Sequence, residues 1–510
     1  MGKNIVVAGH KKTVEAGQLI LNEGGNAFDA MITAFLMSCV VESASISLGG
    51  GGFLLAQKVG QKPKLLDFFT QTPKNNKITG TVDFKAVKVD YQDSNQTFHI
   101  GLGSIAVPGN VAGVFEMHKQ LGTIPLKTLA QPVIDVAKNG VKVDDFQTMA
   151  IDLLRGILLD RPDMAAIYNK NAGVKEKGDL VVIPYLADAI DALVNEGERE
   201  FYEGEFAKKL NDDCKNLGGY ICYSDLKDYK AVWRNPLSFN YKGHKIYTNP
   251  SPSSGGLLIG IALKFMEQQF QHVQEWGSRS YIQNHALCMK QTNQLRKLYV
   301  DGKNLDFAQQ TSFLTDLTTN QLFKEELSKV GSTTHISIID KKGNAATLTH
   351  SSGEGSGYMI PKTGIMLNNM LGEADLNPQG FNKWPCNQRI SSMMSPIIVN
   401  DKGGLKALLG SGGANRIRTA LVQTLVNLID YGFDIEKAIE KARMHLEGNV
   451  LEIEGAFKNE HVVKSHLNGI DKNHWKQDRH MFFGGVNGIA KLGNEFFGHA
   501  DSRRFGSCSN

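Results

Sequence analysis

Gly331-Ser332-Thr333-Thr334-His335-Ile336-Ser337-Ile338-Ile339-Asp340 sets two adjacent threonines at the head of an alternating apolar run. The alternation, the turn residues Lys341-Lys-Gly-Asn344 and the run Ala345-Ala-Thr-Leu-Thr349 predict a β-hairpin. His335 then faces the same side as Thr333, and a structural role suits it better than that of a base. Most threonine pairs at a strand start carry no chemistry. Thr333 becomes a nucleophile only if its α-amine is free. That amine then acts as general base for the hydroxyl of the same residue.

Upstream of this stretch no linker, charge block or low-complexity segment divides the chain. Of 510 residues, 41% are hydrophobic and 21% charged, an ordinary globular composition. The net charge of +4 is spread along the length, which argues against a nucleic-acid surface. Six cysteines without a Cys-x-x-Cys pair read as free thiols in a reducing compartment. The first ten residues have no apolar signal core, and the run Met31 to Val41 is too short to span a bilayer. The expected location is the cytoplasm, with no membrane and no nucleic acid as partner.

The remaining elements follow from spacing. A short strand is expected at Ile5-Val-Val-Ala8, a helix from Val14 to Glu23, and a second helix capped by Asn26 through Val41. Leu48-Gly-Gly-Gly-Gly-Phe-Leu-Leu55 lacks the Lys-Ser/Thr of a phosphate loop and reads as close backbone packing. Helices are expected over Leu126 to Asn139, Leu257 to Phe270, much of 275–330, and Ile417 to Tyr431. Strands are expected near Ile365-Met-Leu367, Pro396 to Val399 and Leu405 to Leu409. Helices collect before residue 333 and strands alternate after it, which predicts stacked sheets between helix layers, α+β in type.

Leu409-Gly-Ser-Gly-Gly-Ala-Asn-Arg-Ile-Arg418 is a glycine turn from a strand into a helix. Its backbone amides can serve as a tight turn or as an oxyanion hole. Ser391-Ser392 sits before a strand as a candidate for substrate hydrogen bonding, and Glu373 is a loop acid able to face an ammonium group. No His-Glu-x-x-His and no Gly-x-Ser-x-Gly is present, so neither a metal nor any other cofactor is expected.

Taken in order, these pieces resemble the gamma-glutamyltranspeptidase family of N-terminal nucleophile hydrolases. The matches run from Gly24-Gly-Asn-Ala-Phe-Asp-Ala30 and Val41-Glu42 through Gly49-Gly-Gly-Gly-Phe53, Val107-Pro-Gly109 and Pro252-Ser-Ser-Gly-Gly256. They continue through Thr333-Thr-His335, Gly364-Ile-Met-Leu-Asn-Asn369, Ser391-Ser-Met393 and Gly410-Ser-Gly-Gly413 to Asp501-Ser-Arg-Arg504. The resemblance implies a four-layer αββα sandwich. It implies autocleavage between Ser332 and Thr333, giving a large subunit (1–332) and a small subunit (333–510) that stay associated as one domain. A homo-oligomer of that heterodimer is left open. Thr333 matches the nucleophile and Ser351 the hydroxyl that steadies it. Gly412 and Gly413 match the oxyanion hole, and Ser391 and Ser392 the serines that hold the substrate carboxylate.

Three positions depart from the family pattern. The arginine that pairs with the glutamyl carboxylate is replaced by Phe69. The loop after Ser351 is two residues shorter, and Glu354 stands near the place of a lost asparagine. The acid that binds the α-amino group is Glu373, and Met370 replaces the glutamine before it. Lys74 and Arg416 are the candidates to restore the missing cation. The expected activity is cleavage of a γ-glutamyl amide such as glutathione, with transfer to water or an acceptor amine. The alternative is the same machinery acting on poly-γ-glutamate, a β-lactam side chain or a small dicarboxylic amide. A non-catalytic binding protein is the third reading.

Overall fold

The computed structural model describes residues 2–78, 80–90, 95–171, 173–270, 272–300, 305–316 and 333–509. Ser332, on the amino side of the expected scissile bond, lies outside them, as does the helical expectation for 317–330.

Two antiparallel sheets organise the chain, and only their strands are numbered here. The first runs from Val232–Arg234 (β4) through Lys64–Phe68 (β3), Gly51–Gln57 (β2), Ala345–Ser351 (β8), Thr334–Ile339 (β7) and Ile5–Ala8 (β1) to Ser507–Cys508 (β13). The second runs from Leu237–Tyr241 (β5) through His244–Thr248 (β6), Ile397–Asp401 (β9), Gly404–Gly412 (β10) and Gly485–Leu492 (β11) to Glu495–Ala500 (β12).

Period-two alternation separates two cores. Val6, Leu54, Leu66, Ile336, Ile338 and Leu348 pack on helices Lys11–Asn22 (α1), Ala27–Val41 (α2) and Asn110–Leu121 (α3), and Leu126–Asn139 (α4) packs on α2. Val7, Phe53, Leu55 and Phe69 belong instead to a core with residues of the second sheet. Helices Gly255–Gln269 (α5) and Arg416–Ile429 (α7) pack on the second sheet, and Arg279–Tyr299 (α6) packs on α5.

Helix α2 is buried along its whole length, as an apolar run without a polar face requires. Asn26 caps it by accepting from the Phe28 and Asp29 amides at 2.7 and 2.9 Å. Asp340, in the hairpin turn, accepts from the Ala27 amide at 3.1 Å and from the Lys342 and Asn344 amides at 2.9 and 3.0 Å. One carboxylate thus joins the β7–β8 hairpin to a helix N-terminus, where its charge is favoured.

The division into helices before residue 333 and strands after it does not hold. β1 to β6 all precede residue 333, and β1, β2 and β6 pair with strands that follow it. Such pairing joins segments hundreds of residues apart and leaves no local trace. Ile365–Leu367 forms isolated bridges, Met359 with Met366 and Gly49 with Leu367, instead of a strand.

Candidate active site

Thr333 stands one residue before β7, partly exposed. Thr334 pairs with His350, so the register carried one step further sets Ser351 across from Thr333. The Ser351 hydroxyl accepts from the Gly353 amide at 2.9 Å, which tightens the turn behind it.

The glycine turn approaches from the second sheet. Gly412 ends β10 opposite Gly485, and its Cα lies against the Thr333 carbonyl, where any side chain would collide. Gly413 has φ +119° and Ala414 φ +47°. Among the described residues, neither of their amides has a hydrogen-bond partner. These are paired donors at the entrance to a helix, the arrangement that stabilises a developing oxyanion.

His335 is part of the support. Its ring nitrogens meet Thr349 Oγ1 at 2.7 Å and Ser337 Oγ at 3.0 Å between the sheets. Burial pushes its pKa down to about 3. It therefore stays neutral across the working range and adds no inflection of its own near neutrality. The same holds for His350, also pushed to about 3 by burial, beside Ser38 at 2.9 Å.

Arg504 reaches the same place by a different route. Its guanidinium flanks the Cα atoms of Gly412 and Gly413, and it lines a small cavity with Thr333 and Glu42. The backbone beside it is held by a buried ion network. Arg443 meets Asp501 at 2.6 Å, Arg503 meets Glu454 at 2.6 Å, and Arg503 meets Asp501 at 3.1 Å. Burial alone would raise the Asp501 pKa, yet Arg443 and Arg503 hold it below the usual value. Glu454→Ala leaves Arg503 partly unpaired in the interior. It is expected to cost about 3–5 kcal/mol, read as a lowered urea midpoint.

Of the substrate-side candidates, Ser391 and Ser392 line a second, larger cavity of about 140 Å³. Ser391 is exposed, and its hydroxyl donates to Ser254 Oγ at 3.3 Å. Ser392 is buried, and its carbonyl accepts from the Ser254 and Gly255 amides at 3.0 and 3.1 Å, at the start of α5. Arg296 and Arg389 also line this cavity. Arg296 donates to Asn415 Oδ1 at 3.2 Å, which ties the cavity to the glycine turn. Arg389 is committed to the Phe69 and Lys230 carbonyls at 2.7 and 2.8 Å and to Asp67 at 3.3 Å.

Glu373 and Glu354 are both buried close to the turn after Ser351. The Glu373 carboxyl touches the Cα of Gly353, and its Oε1 has no partner. Burial, then Asp375 and Glu354, holds its pKa well above the usual carboxylate range. Neither glutamate borders the larger cavity.

Phe69 is buried and stacks on Phe53, with centroids 5.3 Å apart. The two cations weighed as substitutes are engaged elsewhere. Lys74 pairs with Asp228, and Arg416 pairs with Glu447 at 2.6 Å while lying over the Phe482 ring.

Arg296 and the depth of Glu42 were missed from the sequence, since neither lies near a nucleophile or serine motif in the chain. The Val41-Glu42 and Asp501-Ser-Arg-Arg504 matches were the signal for Glu42 and Arg504. Among the described residues, no helix is long and apolar enough to cross a membrane, and no cluster of three or more His, Cys, Asp or Glu could hold a metal ion.

Comparison with known proteins places these features in a family. The gamma-glutamyltranspeptidase family model matches residues 13–510. A glutathione hydrolase proenzyme of Escherichia coli (strain K12) is 30% identical over 465 residues, covering 84% of this chain and 79% of that protein. The capsule biosynthesis protein CapD proenzyme of Bacillus anthracis is 30% identical over 509 residues, covering 98% of this chain and 90% of that protein. The crystal structure of cephalosporin acylase from Bacillus halodurans shares the fold, with a TM-score of 0.85 and 21% identity, covering 100% of this chain and 96% of that one. The chain belongs to the gamma-glutamyltranspeptidase family and is an enzyme of that family.

Proposed function

We propose that this enzyme is a self-processing threonine amidase of the four-layer αββα type. It cuts its own Ser332–Thr333 bond and then uses Thr333 against a γ-glutamyl or related amide. The observation that carries the reading is the fit of the glycine turn to Thr333. The Gly412 Cα abuts the Thr333 carbonyl, and the unpartnered amides of Gly413 and Ala414 follow it. The proenzyme names of relatives from Escherichia coli and Bacillus anthracis support a precursor processed into two chains.

The neutral Thr333 amine takes the hydroxyl proton as Oγ attacks the amide carbonyl. The tetrahedral oxyanion is held by the Gly412 and Gly413 amides, with the Ala414 amide next along the turn. The C–N bond breaks, and the leaving amine takes the proton from the Thr333 ammonium. Water or an acceptor amine then attacks the ester by the same route in reverse, which frees Thr333. Ser351, across from Thr333, holds the hydroxyl in line. Ser391, Ser392, Glu373 and Glu354 are assigned to the acyl group. Unpaired cysteines fit a reducing compartment, and we place the protein in the cytoplasm.

Phe69 favours a second reading, in which the acyl group differs from γ-glutamyl. Its ring, stacked on Phe53 in the core, supplies no fork-shaped charge of its own. Arg296 lines the larger cavity beside Ser391 and Ser392, where it would meet a carboxylate.

A panel on processed protein tests this: γ-glutamyl-p-nitroanilide, glutathione, poly-γ-glutamate and glutaryl amides. Turnover of γ-glutamyl-p-nitroanilide supports the first reading, and turnover of the other amides alone supports the second. Arg296→Gln is expected to raise KM about 10- to 100-fold for acyl groups ending in a carboxylate. It should leave neutral acyl groups nearly unchanged, as loss of one charge-assisted contact predicts.

A further inference from the structure

Glu42 follows α2 and has no part in the chemistry above. The residue is 6% exposed, its carboxyl meets the Thr334 hydroxyl, and one oxygen, Oε1, has no partner. Gly9 opens the space in which the two side chains meet. A Cβ there would stand 2.7 Å from Thr334 Oγ1 and 3.1 Å from Glu42 Oε2. Glu42, Thr333 and Arg504 line one cavity of about 20 Å³. The other titratable groups facing Glu42 are His10, Asp144 and Cys39. His10 Nε2 lies 3.2 Å from Asp144 Oδ2, and burial pushes the Cys39 thiol up so that it stays protonated.

A buried carboxyl with an orphan oxygen needs a donor. Self-cleavage makes one, because it frees the α-amine of Thr333, a residue that lines the same cavity. We propose that Glu42 is the proton partner of the Thr333 α-amine, a positioning residue that lets the amine become neutral inside the fold. The inference rests on the self-processing reading. In the resting processed enzyme the pair is an ammonium and a carboxylate. Activation breaks an N–H bond of the ammonium and forms an O–H bond on Glu42. Both groups become neutral, and no net charge is stranded in the cavity. The amine lone pair is then available for the Thr333 hydroxyl proton, and the reverse transfer restores the ion pair after turnover. Burial pushes the Glu42 pKa up to about 7, while His10, Thr334 and Arg504 pull it down. Such a carboxyl comes close to an α-amine, which ordinarily titrates at about 7.7–8.0.

The test reads the amine itself and needs no substrate. Processed protein is labelled with an amine-selective acylating reagent from about pH 5 to about pH 9, the span of both titrations. The Thr333-terminal peptide is quantified by mass spectrometry. Wild type should show two linked inflections, as two coupled groups do. A nearby carboxylate strengthens an amine's hold on its proton, so Glu42→Gln should lower the amine inflection by about one unit, or about tenfold in labelling rate below it. Glu42→Asp should stay near wild type. An unchanged profile in folded Glu42→Gln, or a single ordinary amine inflection in wild type, overturns the inference and leaves self-processing standing. A chain that is never cut, and so offers no Thr333 terminus, overturns both.

Discussion

Thr333→Ala is expected to remain a single chain and to lose amide turnover by at least about 10⁴-fold. Both effects have one origin. In the proposed function, one Thr333 hydroxyl attacks the Ser332 carbonyl during maturation and substrate afterwards. Alanine keeps the strand, because the pairing of β7 with β1 and β8 does not depend on the Thr333 side chain. The variant should therefore fold like the wild-type precursor, which circular dichroism can check. Intact-mass measurement after prolonged incubation gives the first readout and the amide panel the second. A Thr333→Ala protein that still divides at this position would remove the nucleophile assignment altogether.

Gly412→Ala is the second large effect. A methyl group at 412 has nowhere to go, since the Thr333 carbonyl occupies its place and Arg504 Nη1 stands 3.0 Å away. β10 cannot simply retreat, because Gly412 pairs with Gly485 and the strand is flanked by β9 and β11. The Thr333 backbone must shift instead. A displacement near 1 Å at a reacting group costs on the order of 10²-fold in rate. Cleavage should slow visibly in a time course, and kcat should fall much more than KM rises. Gly173→Ala, where the nearest atom stands 4.0 Å from the added carbon, is the control. Equal loss in both variants would point to a general folding defect.

Much of the site was legible because its motifs are local. A threonine pair before an alternating run, a glycine turn between strand and helix, and two serines before a strand are each written within ten residues. Asn26 was likewise readable as a cap and Lys341-Lys-Gly-Asn344 as a turn, and the structure has both, with Asp340 accepting from the turn amides. The meeting of Arg296 with Asn415 was not legible. Neither was that of Glu42 with Thr334, or of Arg504 with Gly412. Each joins elements far apart in the chain and depends on which strands pair.

The replacement of an arginine by Phe69 was visible in the chain, but its consequence was not. Only the packed core shows that the ring stacks on Phe53 and that Lys74 and Arg416 are turned to Asp228 and Glu447.

By itself, the sequence determined the hairpin that begins at Thr334, the main helices with their caps, and the family to which the order of motifs belongs. Those rest on periodicity, capping and turn chemistry, which act over a few residues. The tertiary structure alone decided that strands from both halves share each sheet, that the Gly412 Cα closes on Thr333, and that a buried carboxyl from α2 waits beside it. Those depend on sheet pairing and burial, which bring residues hundreds of positions apart within a few ångströms and leave no short-range signal.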